Sequence, residues 1–431
     1  MLSLVIVVLL IALIMLRVPV SVAILGTAIL GLIAIGGPET AIQVIETSPF
    51  AAVRSNSLSA VPLFILMAQL MLMSGLLDSL FDTARALVGR IRGGTAIASV
   101  GAGTAFAAVS GSSTAAAATL AQTSSKRMID EGYARETATG LVAVVGTLAA
   151  MIPPSIILVF YAITAEAPVG DVLVAGFFPG LLVATSLIAV MYLGLLRNHD
   201  AAPRGKAYTV KEKMRYLLHA SPLILIFAAV VGSIFLGIAT PTEAATLGVL
   251  AALILVIARR RWNTDKFTQC LMDTVKTTGM IFAIIMSAHV LGHFLTETRV
   301  TPRLVNAIGE SAWPPLLIMV LIGAVYVVLG FFMDQIAIIA LTVPVTLPII
   351  EALGYDAVWF GIFIVLLAET GMVTPPMGLN VFVVAKAVRV NPMVVFRGAF
   401  PYVLAMLSIA GITLLWPEVV MWVPDLMKSG G

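Results

Sequence analysis

Ile152-Pro153-Pro154-Ser155 returns 222 residues later as Thr374-Pro375-Pro376-Met377, each time in the middle of a long apolar run. Gly132-Tyr133 and Gly354-Tyr355 hold the same offset upstream, and Gly176-Phe177-Phe178-Pro179 and Gly398-Ala399-Phe400-Pro401 hold it downstream. Phe160 and Phe382 fall in register, as do Val159 and Val381. A double proline alone proves little, since Pro314-Pro315 lies outside the pattern. Uncommon residues that keep one spacing over about fifty positions are an internal duplication. Proline lacks an amide donor and clashes with the preceding turn, so each run breaks there and leaves free carbonyls near its centre.

Of 431 residues, 60% are hydrophobic and 11% charged, too little charge to cover a water-soluble surface. The chain therefore reads as an integral membrane protein. Its first apolar run leads straight into others without a cleavage site, so it reads as a span rather than a signal peptide. Cys270 is alone, which excludes an intramolecular disulfide. The net charge of +3 comes from Lys and Arg clustered between apolar runs. Such clusters mark cytoplasmic loops, and no basic face for nucleic acid emerges.

Runs 2–16 and 18–37 turn at Arg17 and Pro19 on the cytoplasmic side, which puts the N-terminus outside. Residues 38–60 read as an amphipathic external connection, and 61–81 crosses back. Half-length segments 94–109 and 113–127 flank Ser110-Gly111-Ser112-Ser113, with Arg90 and Arg92 before and Lys126, Arg127 and Arg135 after. Basic loops on both sides make this a re-entrant hairpin with a polar tip at membrane depth. The broken run 135–166 follows, then 171–196 and a loop 197–219 carrying Arg197, Arg204, Lys206, Lys211, Lys213 and Arg215. Runs 220–239 and 243–258 join at Thr240-Pro241-Thr242-Glu243, a capping box. Arg259, Arg260 and Arg261 mark the inside again, and 276–296 crosses outward.

In the second half, 314–331 and 334–351 flank Phe332-Met333-Asp334-Gln335, and the next connection lacks Lys and Arg, so this hairpin enters from outside. The broken run 356–388 ends at Lys386, Arg389 and Arg397 on the inside, and 397–416 leads to an external C-terminus with Trp416 and Trp422 at the interface. The basic loop thus precedes the first copy's landmarks and follows the second's, so the copies lie upside down relative to each other. The expected fold is all-α, an inverted-repeat membrane carrier with about ten spans, two of them broken, and two re-entrant hairpins. Its expected parts are scaffold helices at 1–81, a first transport repeat at 82–196, a loop and central scaffold at 197–296, a second repeat at 297–416 and an external tail at 417–431.

At the common offset Ser112 aligns with Asp334, so both tips place a polar side chain equivalently. Half-helix N-termini suit an anionic substrate, and unwound carbonyls suit a small cation. One cation site is expected from Ser110 to Ser113 with the break Ala149 to Ser155, the other from Gly330 to Asp334 with Gly371 to Met377, Thr374 included. Each residue has a plainer role available. The Gly-Ser tip suits tight helix packing, Asp334 suits helix capping, and Glu369 and Asn380 suit hydrogen bonding across the bundle. His289 and His293 have the spacing of a metal pair but no completing ligand, so packing near the outer face is expected and no transition metal. No P-loop or Ser-His-Asp arrangement is present, and the serine tip and the histidines lie on different helices, which argues against an intramembrane enzyme.

The chain resembles the large membrane subunit of the tripartite ATP-independent periplasmic (TRAP) transporters, the DctM family, within the ion-transporter superfamily. The resemblance rests on Leu16-Arg17-Val18-Pro19, Pro62-Leu63-Phe64, Ser110 to Ser113, Gly132-Tyr133, Ile152 to Ser155, Phe178-Pro179-Gly180, Thr240 to Glu243 and Thr374 to Gly378. It implies sodium-coupled uptake of a small organic acid across the bacterial inner membrane by an elevator movement. It also implies a periplasmic binding protein and a separate four-helix small membrane subunit as partners, with membrane lipid around them. Sodium would be held by Ser110, Ser112, Ala149, Ile152 and Pro154 and by Gly330, Asp334, Gly371, Thr374 and Met377. Substrate would meet Ser112, Ser113, Asp334 and Asn380. Many family members carry an aspartate shortly after the first Gly-Ser-Ser, where this chain has Ala116, so the first site is completed differently. A stand-alone proton- or sodium-coupled carboxylate carrier using Asp334 and Glu369 is the alternative expectation.

Overall fold

The computed structural model describes residues 2–16, 18–54, 56–197, 207–310 and 313–429, all helical or connecting, with no strand among them. Arg17, Arg204 and Lys206, singled out above, lie outside the described residues. The N-terminal helices are α1 (Leu2–Met15), α2 (Val20–Val53), α3 (Ala60–Met73) and α4 (Leu76–Val88). The first copy holds α5 (Gly94–Ser110), α6 (Ser113–Leu120), a π-turn continuing into α7 (Lys126–Asp130), α8 (Arg135–Val145), a 3-10 turn at Gly146–Ala150, α9 (Ile156–Thr164), α10 (Val169–Ala175) and α11 (Phe177–Arg197). Then come α12 (Val210–Phe235), α13 (Pro241–Ala258), α14 (Thr264–Glu297) and α15 (Val300–Gly309). The second copy holds α16 (Pro315–Phe332), α17 (Gln335–Ala352), α18 (Ala357–Met372), α19 (Leu379–Val388) and α20 (Pro392–Leu415), and α21 (Glu418–Ser429) closes the described chain.

The duplication is visible in these boundaries, because α16, α17, α18 and α19 begin within one residue of the positions that α5, α6, α8 and α9 predict at the 222 offset. The Gly-Tyr landmarks are helix stops. Gly132 and Gly354 have φ of 97° and 83°, and Tyr133 and Tyr355 each return an amide bond to the carbonyl five residues back, at 3.0 Å in both cases. That is the Schellman cap, and glycine supplies the left-handed residue it needs. Pro153-Pro154 and Pro375-Pro376 are both joined by cis bonds.

Packing between the copies is reciprocal. The first copy's α9 lies on α17 and α18, and the second copy's α19 lies on α6 and α8. A contact made twice with roles exchanged is what a two-fold relation between halves produces. The closest approach is α8 to α20, where a Cβ on Gly398 would lie 1.8 Å from the Glu136 carbonyl oxygen. Elsewhere α14 packs along α2, with Gly31 against the Phe294 ring, and α3 lies between α13 and α14, with Gly248 against Met67. Apolar burial does not drive helix association in lipid, so such glycine contacts hold these helices together.

Eight helical segments among the described residues are long and apolar enough to span a membrane. The expected single crossing at 61–81 is instead two helices, because Gly75 adopts φ of 70° and α4 turns off as an amphipathic piece. Helix continues beyond residue 37 to Val53 across a kink at Gly37, so the expected break at 37 is a kink and much of the amphipathic connection expected over 38–60 is helical. The basic residues Lys211, Lys213 and Arg215 sit on the first turns of α12, which a Thr209-Glu212 capping box starts. The expected Thr240-Glu243 box is present, with Thr240 N–H donating to the Glu243 carboxylate at 2.8 Å. Within the expected tail Glu418–Ser429 is helical, with Trp422 edge-on to Phe178 at 5.3 Å between ring centroids.

Candidate functional site

At the first tip α5 ends on Ser110, Gly111 turns the chain with φ of 58°, and extended Ser112 starts α6. A Cβ on Gly111 would lie 3.0 Å from the Ile156 side chain and 3.3 Å from its amide nitrogen, so close approach to α9 also demands glycine. The Ser110 hydroxyl donates to the Ser112 carbonyl at 3.1 Å. At the second tip Met333 and Asp334 are both extended, and the Asp334 carboxylate accepts from the Ala337 amide at 3.1 Å. Asp334 is therefore the N-cap of α17, and its side chain remains exposed.

Both tips open on one cavity of about 260 Å³, lined by Ser112 and Ser113 from the first, Asp334 and Gln335 from the second, and Thr277 of α14 and Leu379 of α19. The N-termini of α6 and α17 thus converge on it, supplying unpaired amides and partial positive charge suited to a small anion. Recesses of about 280 and 580 Å³ lie beside α15 and near Lys126 and Arg389, and neither includes a tip or a break residue.

The first break carries the expected Ala149, Ile152 and Pro154, all buried. Pro153 and Pro154 remove the amides that Ala149 and Ala150 carbonyls would otherwise accept from, and the Ser155 hydroxyl takes up the Ala150 carbonyl at 2.7 Å. The second break is tied to its hairpin by backbone contact, since a Cβ on Gly371 would lie 2.7 Å from Gly330 Cα. The Gly371 carbonyl accepts from Thr374 N–H at 2.9 Å. The Thr374 hydroxyl donates to the Thr370 carbonyl at 2.6 Å, and Met377 is 48% exposed.

Asn380 is fully buried and does not line the cavity. Its amide donates to the Ser113 hydroxyl at 3.0 Å, joining the two copies behind the first tip. Glu369 stands beside Ser113 and Gln335. Gln335 and Thr277 are wall residues that sequence reading missed. The 222 offset, which pairs Gln335 with Ser113, was the signal for the first, and nothing in the sequence marked the second. His289 and His293 are exposed on α14, away from the tips.

Residues 7–419 match the family described as tripartite ATP-independent periplasmic transporter, DctM component. The chain belongs to the DctM family. It is 32% identical over 387 residues to the C4-dicarboxylate TRAP transporter large permease protein DctM of Pseudomonas aeruginosa, covering 89% of each chain. It is 29% identical over 407 residues to the isethionate TRAP transporter permease protein DctMQ of Oleidesulfovibrio alaskensis, covering 94% of this chain and 64% of that one. Among solved structures, the Alcanivorax borkumensis YdaH transporter superposes with a TM-score of 0.62 at 13% identity, over 90% of this DctM-family chain and 89% of the other, a likeness of fold. This multi-pass DctM-family protein is thus a TRAP transporter large permease subunit.

Proposed function

We propose that this permease takes up a small organic acid across the inner membrane in symport with sodium, with substrate held between the two tips. The observation that carries this is the meeting of two helix N-termini, one from each copy, in a single cavity of small-molecule size. Relatives named for a C4-dicarboxylate and for isethionate support the substrate class, a compact organic anion. The breaks beside the tips supply carbonyls for sodium, with Ser110, Ser112, Ala149, Ile152 and Pro154 around one ion and Gly330, Asp334, Gly371, Thr374 and Met377 around the other. Ser112, Ser113 and Asp334 face the substrate, and Asn380 steadies Ser113.

The interlocked copies, 82–196 and 297–416, move as one body in an elevator step against the scaffold of 1–81 and 197–296, with α14 as the cavity's fixed wall. A small four-helix subunit of the DctQ type braces that scaffold, a periplasmic binding protein of the DctP type delivers the acid, and both termini are periplasmic. Uptake into proteoliposomes under a sodium gradient tests this, with and without candidate binding proteins. Accumulation that needs both sodium and a loaded binding protein is expected. Uptake of free substrate driven by a pH gradient alone overturns it in favour of a stand-alone proton-coupled carrier.

A further inference from the structure

Glu369 is the one acidic or basic side chain that is fully buried among the described residues; Ser113 and Gln335 stand close enough to donate to it, but neither carboxylate oxygen makes a hydrogen bond of good geometry. It lies on α18 just before the second break and beside Ser113 and Gln335. Those two neighbours occupy equivalent positions in the copies, since Ser113 is the first residue of α6 and Gln335 the first of α17. One carboxylate is therefore placed where the starts of two symmetry-related helices meet. The first copy has Thr147 at the equivalent position, and its hydroxyl is committed to its own backbone, donating to the Val144 carbonyl at 2.6 Å. Only the second copy contributes a charge to the junction.

Ion pairs among the described residues join Arg85 to Glu131 and Arg127 to Asp82, so no Lys or Arg answers Glu369. A carboxyl group in a water-poor interior either holds a proton or is offset by an opposite charge nearby, so a cation bound beside it would keep it ionised. Two cations held a short way apart in such an interior repel strongly, and an anion set between them offsets that repulsion.

We propose that Glu369 is the counter-charge shared by the two sodium sites, so that each cation is bound more tightly when the other is present. This rests on the sodium-driven reading given above. Glu369 makes no contact with substrate in this role; it positions and couples the ions. Binding of sodium to the folded chain raises its thermal stability in proportion to occupancy. The test is thermal unfolding of the purified full chain against sodium chloride, with choline chloride holding ionic strength constant.

Wild type is expected to be stabilised with a Hill coefficient above one. Glu369→Gln keeps the shape and the hydrogen-bonding capacity but removes the charge. It is expected to unfold at the wild-type temperature in choline, to need about tenfold more sodium for half-saturation, and to lose cooperativity. A purely structural role would lower stability in choline and leave the sodium midpoint in place. If Glu369→Gln keeps the wild-type midpoint and Hill coefficient, the proposal is overturned while the sodium-driven mechanism stands. If wild type ignores sodium, both fall. Should Glu369→Gln not be recovered folded, Glu369→Met removes the charge at similar volume, and an unchanged sodium midpoint and Hill coefficient in that variant also overturn the proposal.

Discussion

Around the first break, Met151 to Ser155 are all buried, and Pro154 faces Met67 and Met71 of α3 and Leu223 and Phe227 of α12. Around the second, Pro375, Pro376 and Met377 stand exposed. The hairpins follow suit. Ala98, Ala102 and Phe106 on α5 are buried, while their equivalents Val320, Ala324 and Val328 on α16 are exposed. The copies share helix boundaries, breaks and Schellman caps, so local sequence does not cause this difference. What differs is the cover, since α3 and α4 pack on α5 while, among the described residues, α16 packs mainly on α17 and α18 of its own copy. Under the elevator reading proposed above, two halves of like geometry in unlike surroundings would exchange those surroundings in the other state.

The largest expected effect breaks the likeness inside the copies. A Cβ on Gly371 would lie 2.3 Å from the Val327 carbonyl oxygen, and one on Gly330 would lie 2.5 Å from the Ala368 carbonyl oxygen. The first copy has Ala149 and Ala108 at those positions and accommodates both. Gly371→Ala is expected to cost about 3 kcal/mol or to abolish folded protein, because backbone cannot retreat as a flexible side chain can. Ala149→Gly is expected to cost about 1 kcal/mol, the entropy of a freed backbone. Thermal unfolding of the two purified variants measures both. Equal losses mean that the two hairpin-to-break contacts are equally loose.

The duplication and its breaks were legible because proline and glycine act over one or two turns, without help from distant chain. The end of α3 was not. Apolar character runs on past Ser74, and a lone Gly75 in an apolar run is weak punctuation until packing shows α4 turning onto α5. The long run of α2 through Gly37 and Pro38 misled in the opposite direction, since such a pair reads as a stop and the structure makes it a kink. At the site, the tips were marked by their own residues and Gln335 by the 222 offset, whereas Thr277 and the Asn380 to Ser113 bond depend on which helices meet. Spacing along one helix carries no record of that meeting.

A smaller effect sharpens the contrast in surroundings. Cysteine at Met377, 48% exposed, is expected to react with a soluble maleimide at least about tenfold faster than cysteine at Ile152, 4% exposed, since thiol reactivity needs access. Met377→Cys and Ile152→Cys leave the backbone carbonyls of both breaks in place. Sodium and substrate that shift the population toward the exchanged arrangement would narrow the ratio. A ratio near one in every condition means that the two breaks see the same environment in the membrane.

The smallest effect concerns the polar link between the copies. The Tyr161 hydroxyl donates to the Ala357 carbonyl at 2.5 Å, from the end of α9 to the start of α18. The reciprocal bond is missing, because the equivalent of Tyr161 is Val383, which has nothing to offer the start of α8. The ring itself is wedged against Gly361, where a Cβ would lie 2.1 Å from Tyr161 Cε1, so Tyr161→Phe keeps the packing and removes only the donor. The expected loss is about 1 kcal/mol, the net worth of one buried hydrogen bond, measured by thermal unfolding beside Gly371→Ala. If Tyr161→Phe proves the more damaging of the two, then the halves are joined by this one-sided polar contact more than by close helix packing, and their near-symmetry matters less to stability than the glycine contacts imply.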